Sequence, residues 1–313
     1  MDAPFIHESI MMAEVCAFLA PKPGGVYVDA TIGGAGHAAR IVDAIAPGGM
    51  LIGIDRDLAA IEAARERLDD GHVRVVLVHD SFAHLAGILA ELKVERVDGL
   101  LLDLGISSPQ VDRAERGFSY QKDAPLDMRM DQGQFLTARH LVNEAPEEEL
   151  ARIILQYGEE RWARRIAAYI VRSRKDAAIE TTGRLVEIIK AAIPAAARRK
   201  GPHPAKRTFQ ALRIAVNGEL DALRSVLVDG IAHLAPGGRF VAISFHSLED
   251  RLVKEEFARQ AKSCRCPPEN PVCQCGGPRL ELLTKKPVMA SRAEVAGNPR
   301  ARSAKLRAAM RLV

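Results

Sequence analysis

The sequence predicts an α/β fold: a doubly wound parallel sheet carrying a helical insertion. Three observations predict it. Short, almost uniformly apolar runs alternate with helical patterns from Val26 to Asp103, as expected when helices cover both faces of a parallel sheet. The alternation stops near Pro109 and resumes near residue 217. Three of the apolar runs lead directly into glycine or an acidic side chain.

The first strand, Val26-Tyr27-Val28-Asp29-Ala30, runs into Thr31-Ile32-Gly33-Gly34-Ala35-Gly36-His37 and an alanine-rich helix over 36–46. The second, 50–54, stops at Asp55 and is followed by a helix over 57–69. The third, 73–78, leads into His79-Asp80-Ser81-Phe82 and a helix over 82–92. The fourth, 97–102, delivers Asp103-Leu104-Gly105-Ile106-Ser107-Ser108-Pro109-Gln110. Helical spacing without a convincing strand fills 110–216. A helix over 217–234 precedes Pro236-Gly237-Gly238 and a strand over 239–244; 280–285 and 304–312 read as the last two strands. Residues 1–109 and 217–313 are therefore expected to form one sheet domain, with 110–216 inserted as a helical domain.

With 313 residues, 48% hydrophobic and 27% charged, the chain can bury a full α/β core. A net charge of +4 argues only weakly for any partner. No uncharged apolar stretch reaches membrane-spanning length, and the N-terminus lacks a basic region followed by an apolar core. Neither a membrane span nor a secretory signal is expected, and the cytoplasm is the expected location.

The glycine loop follows a strand and opens a helix, and Asp55 ends the next strand 21 positions after Gly34. Glycines let the backbone approach a ligand, and an acid at the second strand end can bond a ribose diol. Loop and acid together fit a nucleoside-containing cofactor, and by themselves they permit a nicotinamide dehydrogenase. A sulfonium cofactor has no pyrophosphate for the helix N-terminus; it needs a close approach at its amino-acid end, an acid for the ribose and an apolar slot for adenine. Phe82 can supply that slot or simply cap the sheet edge. His37 can act in the site or serve as an ordinary first-turn helix residue.

In an open α/β sheet the substrate meets the cofactor beyond the carboxyl ends of the strands. Methyl transfer to an exocyclic amine is an in-line attack that needs alignment more than acid–base power. Acceptors for the amine N–H groups would localise its lone pair. Asp103, the hydroxyls of Ser107 and Ser108 and the carbonyl preceding Pro109 can supply them. Asp103 can equally be a cofactor ligand, and the serines a hydrogen-bonded turn before a proline. His246, in Ser244-Phe245-His246-Ser247, can orient a base, contact phosphate or bond a neighbouring loop, and His7 can fold over the site.

These motifs resemble those of the ribosomal RNA small subunit methyltransferase H family. So do Glu115-Arg116-Gly117-Phe118-Ser119, Pro125-Leu126-Asp127-Met128-Arg129-Met130, Tyr157-Gly158-Glu159-Glu160-Arg161, Arg207-Thr208-Phe209-Gln210-Ala211-Leu212-Arg213 and Asn298-Pro299-Arg300-Ala301-Arg302-Ser303. The resemblance spans almost the whole chain. It implies a class I S-adenosylmethionine-dependent methyltransferase with a Rossmann-like doubly wound sheet and an inserted helical domain. The implied reaction moves a methyl group from S-adenosylmethionine to N4 of a decoding-centre (P-site) cytidine in 16S rRNA, with the rRNA held within the small ribosomal subunit. Cofactor contacts carry over onto Ala35, Gly36, His37, Asp55, Phe82, Asp103 and Gln110, with Gly34 in the same loop. A non-catalytic ribosome-assembly factor holding the cofactor as a structural ligand is the alternative outside enzymology.

Charge supports an RNA substrate independently. From Arg161 to Val216 there are 14 Lys plus Arg against three acids, a local balance of +11. Residues 109–160 hold six basic and eleven acidic residues, and 290–313 six against one. Phosphate neutralisation is the usual use of such a patch, although arginine stems also cover apolar surface. Few aromatics are interleaved, so recognition by shape and phosphate is expected over extensive base stacking. Cys264, Cys266, Cys273 and Cys275 form a C-x-C-x6-C-x-C cluster that suits a structural zinc or a loop of reduced thiols.

Overall fold

The computed structural model describes residues 9–68, 71–199, 201–264 and 277–312. Contacts divide the chain into one unit made of the segments up to Gly105 and from Leu220 onward, and a second made of Ile106–Glu219.

The first unit is built on a single sheet. Its strands are β1 (Val26–Asp29), β2 (Met50–Asp55), β3 (Arg74–His79), β4 (Val97–Asp103), β5 (Leu234–Ser244), β6 (Leu280–Leu282), β7 (Val288–Met289) and β8 (Lys305–Arg311). The order is β3-β2-β1-β4-β5-β8-β6, with β7 pairing on β8. The first five strands are parallel; β8 runs antiparallel to β5, β6 and β7. Successive side chains point to opposite faces, so an apolar run feeds two cores at once. Tyr27, Leu51, Leu101, Val241 and Ile243 join one cluster, covered by Val15 and Leu19 of the helix Met12–Leu19 and Ile41 and Ile45 of the helix Gly36–Ile45. Val28, Ile52, Leu100, Leu102 and Phe240 join the other, covered by the helices Leu85–Glu91, Glu219–His233 and Ser247–Gln260. This covering of both faces is what makes the sheet doubly wound.

Three local differences from the sequence reading have physical causes. β5 begins at Leu234, because Val97 pairs with Leu234 while Gly99 pairs with Arg239. The residues between loop out as a bulge, and Gly237 takes the left-handed φ of +77° it requires. The turn chemistry of Pro236-Gly237-Gly238 interrupts the pairing without ending the strand. β6 stops at Leu282, since the N–H groups of Leu283 and Thr284 both donate to the Ala308 carbonyl, at 3.0 and 3.2 Å, and turn the chain. β7 is two residues long, too short to show alternation.

Asp250, on the helix Ser247–Gln260, accepts from Arg307 Nε at 2.7 Å and Lys305 Nζ at 3.2 Å, both on β8. Burial pushes the Asp250 carboxyl up, but the hydrogen bonds and charges of the two cations hold it below the usual range. Its contribution is therefore present above the usual carboxylate pKa and lost as pH falls. Arg307 is 9% exposed, so removing its partner strands a buried cation. Asp250→Ala is expected to cost about 3 kcal/mol in urea unfolding at pH 7, and an unchanged midpoint would refute the role.

In the second unit the helices Ala138–Glu144, Glu147–Gly158, Ala163–Asp176, Thr182–Ala192 and Lys206–Asn217 surround Leu150, Ile154, Ile166, Ile170, Leu185, Ile189 and Leu212. Thr137 and Thr181 accept from the N–H groups of His140 and Arg184 as N-caps. Glu147, Glu148 and Glu149 occupy a first turn, where the helix dipole favours them. Among the described residues no helix is long and apolar enough to cross a membrane.

Candidate active site

The loop after β1 is shaped by backbone bonds. Ile32 N–H donates to the Ile54 carbonyl and Ala35 N–H to the Ile32 carbonyl, folding the turn over the end of β2. Gly33 sits at φ +47° and Ala35, the N-cap of the helix Gly36–Ile45, at φ +57°. A Cβ on Gly36 would collide with the Ser9 hydroxyl, so this glycine admits the N-terminal segment. A Cβ on Gly34 would meet nothing within 4 Å. Gly34 therefore presents bare backbone to open space.

Asp55 anchors this loop. Its Oδ2 accepts from Gly33 N–H at 3.0 Å and its Oδ1 from Asp57 N–H at 2.9 Å. Burial raises its pKa, against the lowering effect of these two bonds. Each oxygen can accept a second bond, which is what a ribose diol would use. After β3, Ser81 caps a short turn and accepts from Arg56 Nη2 at 3.0 Å, while the Arg56 guanidinium lies 5.6 Å from the Phe82 ring centroid. Phe82 packs on the core with one part and stays partly exposed with the rest.

Asp29, His37 and Asp103 are electrostatically coupled. His37 Nε2 lies 3.6 Å from Asp103 Oδ2, and His37 is 5% exposed. Among the described residues, neither His37 ring nitrogen nor Asp103 Oδ1 has a hydrogen-bond partner although all three atoms are buried. Burial opposes protonation of His37, but Asp103, then Asp29 and Glu294, lift its pKa above the usual value. In the sequence Asp29 stands only as the acid within a strand. It is 2% exposed, and burial pushes its carboxyl up to about 7, with His37 opposing the shift. Thr31 joins the site without a distinguishing signal in the sequence: its Oγ1 accepts from Asp103 N–H at 2.6 Å and ties the β4 end to the β1 loop. The available signal was one acid in an otherwise apolar strand.

A buried acid with a raised pKa destabilises the fold progressively as pH climbs from the unfolded value toward the folded one. Asp29→Asn is therefore expected to match wild type near pH 4 and to exceed it above pH 7, by on the order of 4 kcal/mol. Thermal unfolding of the cofactor-free protein across that range checks this. A variant less stable than wild type at pH 8 would contradict it.

Ser107, Ser108, Pro109 and Gln110 belong to the second unit, where Ser107 is the N-cap of the helix Ser108–Asp112 and donates its N–H to Gln110 Oε1 at 3.0 Å. Ser108 and Gln110 are buried. His246 caps the helix Ser247–Gln260, and Glu249 Oε2 accepts from the N–H groups of Phe245 and His246. That arrangement is the loop-bonding role. Cys264 is exposed; Cys266, Cys273, Cys275 and His7 lie outside the described residues. Among the described residues no group of His, Cys, Asp or Glu is placed to hold a metal ion.

A nicotinamide-binding Rossmann sheet has the order 3-2-1-4-5-6; here the antiparallel β8 stands between β5 and β6. With the glycine loop and Asp55 at the strand ends, this defines a class I S-adenosylmethionine-dependent methyltransferase fold. Residues 4–312 match the MraW methylase family, and the chain belongs to that family. Two relatives are named ribosomal RNA small subunit methyltransferase H. The one from Geobacter sulfurreducens is 60% identical over 309 residues, covering 98% of this chain and 99% of that protein. The one from Symbiobacterium thermophilum is 57% identical over 309 residues, covering 98% and 97%. A solved rRNA methylase from Streptococcus thermophilus aligns at 10% identity and a TM-score of 0.40, covering 96% of this chain and 94% of that one.

Proposed function

We propose that this protein transfers a methyl group from S-adenosylmethionine to the N4 amine of a decoding-centre cytidine in 16S rRNA, acting on the small ribosomal subunit in the cytoplasm. The observation that carries the reading is the family match across 4–312, together with relatives named for small-subunit rRNA methylation. The local chemistry agrees. Open backbone at Gly34, spare acceptor capacity on Asp55, a partly exposed Phe82 ring and unpartnered nitrogens on His37 fit a sulfonium nucleoside.

S-adenosylmethionine, when bound, supplies an electrophilic methyl group. Asp55 would accept from the ribose hydroxyls, Phe82 would pack on the adenine, and the loop Gly34-Ala35-Gly36-His37 would hold the amino-acid end. Gln110 is a cofactor contact in this reading through the family motif. Asp103 is the carboxylate with a spare buried acceptor, Oδ1. Accepting an N–H from the cytosine amine, it would localise the nitrogen lone pair and take up the proton as the N–C bond forms and the sulfonium C–S bond breaks, the electron pair leaving with sulfur as a neutral thioether. Ser107, Ser108 and the carbonyl preceding Pro109 supply further acceptors for the amine. The target base must leave its stack to react.

Small subunits from a strain lacking the gene, incubated with the enzyme and methyl-labelled cofactor, should carry label on N4 of one cytidine. Label on another atom would overturn the position. Cofactor binding without any label on RNA would favour the assembly-factor reading.

A further inference from the structure

The helix Ala163–Asp176 carries an arginine–aromatic stripe. Trp162, the N-cap, and Arg165, Tyr169 and Arg172 are spaced three and four apart, which places them along one face, and Arg161 directly precedes Trp162. The Arg161 guanidinium lies 5.2 Å from the Trp162 ring centroid, and those of Arg165 and Arg172 lie 5.5 and 4.5 Å from the Tyr169 ring. Trp162 and Tyr169 pack partly on the core of their unit, so the rings are held while the three arginines stay exposed.

What distinguishes these arginines is a ring contact without a carboxylate partner. Arg139, Arg152 and Arg184 are neutralised by Glu180, Glu149 and Glu187, and the exposed Arg113, Arg164, Arg198, Arg199 and Arg207 lie against no aromatic ring among the described residues. Arg161, Arg165 and Arg172 form no ion pair among the described residues. Arg165 Nη2 donates to the Tyr169 hydroxyl at 3.4 Å, which fixes the guanidinium beside the ring, and the remaining N–H groups of such an arginine are free to meet phosphate. Its plane, backed by the ring, offers a face on which an unpaired base can stack. The paired arginines present neither.

We propose that this stripe is a docking surface for a single-stranded or looped RNA segment, with phosphates on the guanidinium N–H groups and a base stacked against the Arg165–Tyr169–Arg172 cluster. The proposal rests on the rRNA reading above and deepens it. It also revises the expectation that base stacking plays little part. The charge favours RNA over a protein partner: three uncompensated cations stand in a segment with a local balance of +11.

The test uses the full-length protein and purified small subunits. Combined Arg161→Gln, Arg165→Gln and Arg172→Gln substitution should raise KM for subunits at least tenfold with kcat within about twofold, and should flatten the slope of log affinity against log salt by about 2–3. Tyr169→Leu should weaken subunit binding about fivefold, and Tyr169→Phe should restore it. Arg165→Lys with Arg172→Lys should keep the salt slope and still lose affinity, because lysine has no plane to stack. Arg152→Gln, which removes a paired exposed arginine, should behave as wild type. If wild type methylates the subunits and the triple variant binds them with unchanged affinity and salt slope, the stripe is not an RNA surface. If wild type neither binds nor methylates them, the rRNA reading fails and the stripe falls with it.

Discussion

Asp55→Ala is expected to weaken S-adenosylmethionine binding by at least a hundredfold while leaving small-subunit binding within about twofold. The size follows from two losses. One is a pair of bonds from a charged acceptor to the ribose, each worth about 1.5–3 kcal/mol. The other is the anchoring of the glycine loop, because Asp55 Oδ2 holds Gly33 N–H and Oδ1 holds Asp57 N–H. Asp55→Asn separates the two. Its one amide oxygen can keep one anchor, so it should recover part of the affinity but not the charge-assisted share. Isothermal titration with the cofactor, alongside subunit binding, reads both. Wild-type cofactor affinity in Asp55→Ala would remove the ribose role.

Asp103→Asn should lower kcat about a thousandfold and change cofactor affinity less than tenfold. Asparagine keeps the shape beside His37 and can keep one acceptor, but it can neither take up a proton nor offer a second acceptor of equal strength. The nearby charge matters too, since Asp103 is the strongest influence raising the His37 pKa against burial. His37 in the Asp103→Asn variant should therefore titrate lower, which NMR of the imidazole checks independently of turnover. The opposite split, a large loss of cofactor affinity with kcat preserved, would make Asp103 a cofactor ligand only.

Much of the candidate site was legible because strand ends are where ligands sit in an open α/β sheet, and Asp55 and Asp103 each close an apolar run. Phe82 was legible for the same reason. Asp29 was not, because its significance comes from burial beside His37 and Asp103, and the residues that desolvate it arrive from other strands. His246 carried three readings in sequence. The bonds to Glu249 that single out capping follow from where the helix Ser247–Gln260 starts, which a run of polar residues does not show.

The stripe on the helix Ala163–Asp176 divides in the same way. Its spacing and positive charge are visible in the chain. The absence of carboxylate partners among the described residues is not, because pairing depends on which acids neighbouring helices and turns bring within reach.

Sequence alone determined the parallel core, the glycine loop and the acids at its strand ends, since apolar periodicity and turn chemistry are local properties written residue by residue. Only the tertiary structure decided the place of β8, the bulge at Pro236-Gly237-Gly238, the raised pKa of Asp29 and the ring contacts of Arg161, Arg165 and Arg172, which form no ion pair among the described residues. Strand pairing, desolvation and ion pairing are relations between residues far apart in the chain, and each takes its value only once the fold has brought those residues together.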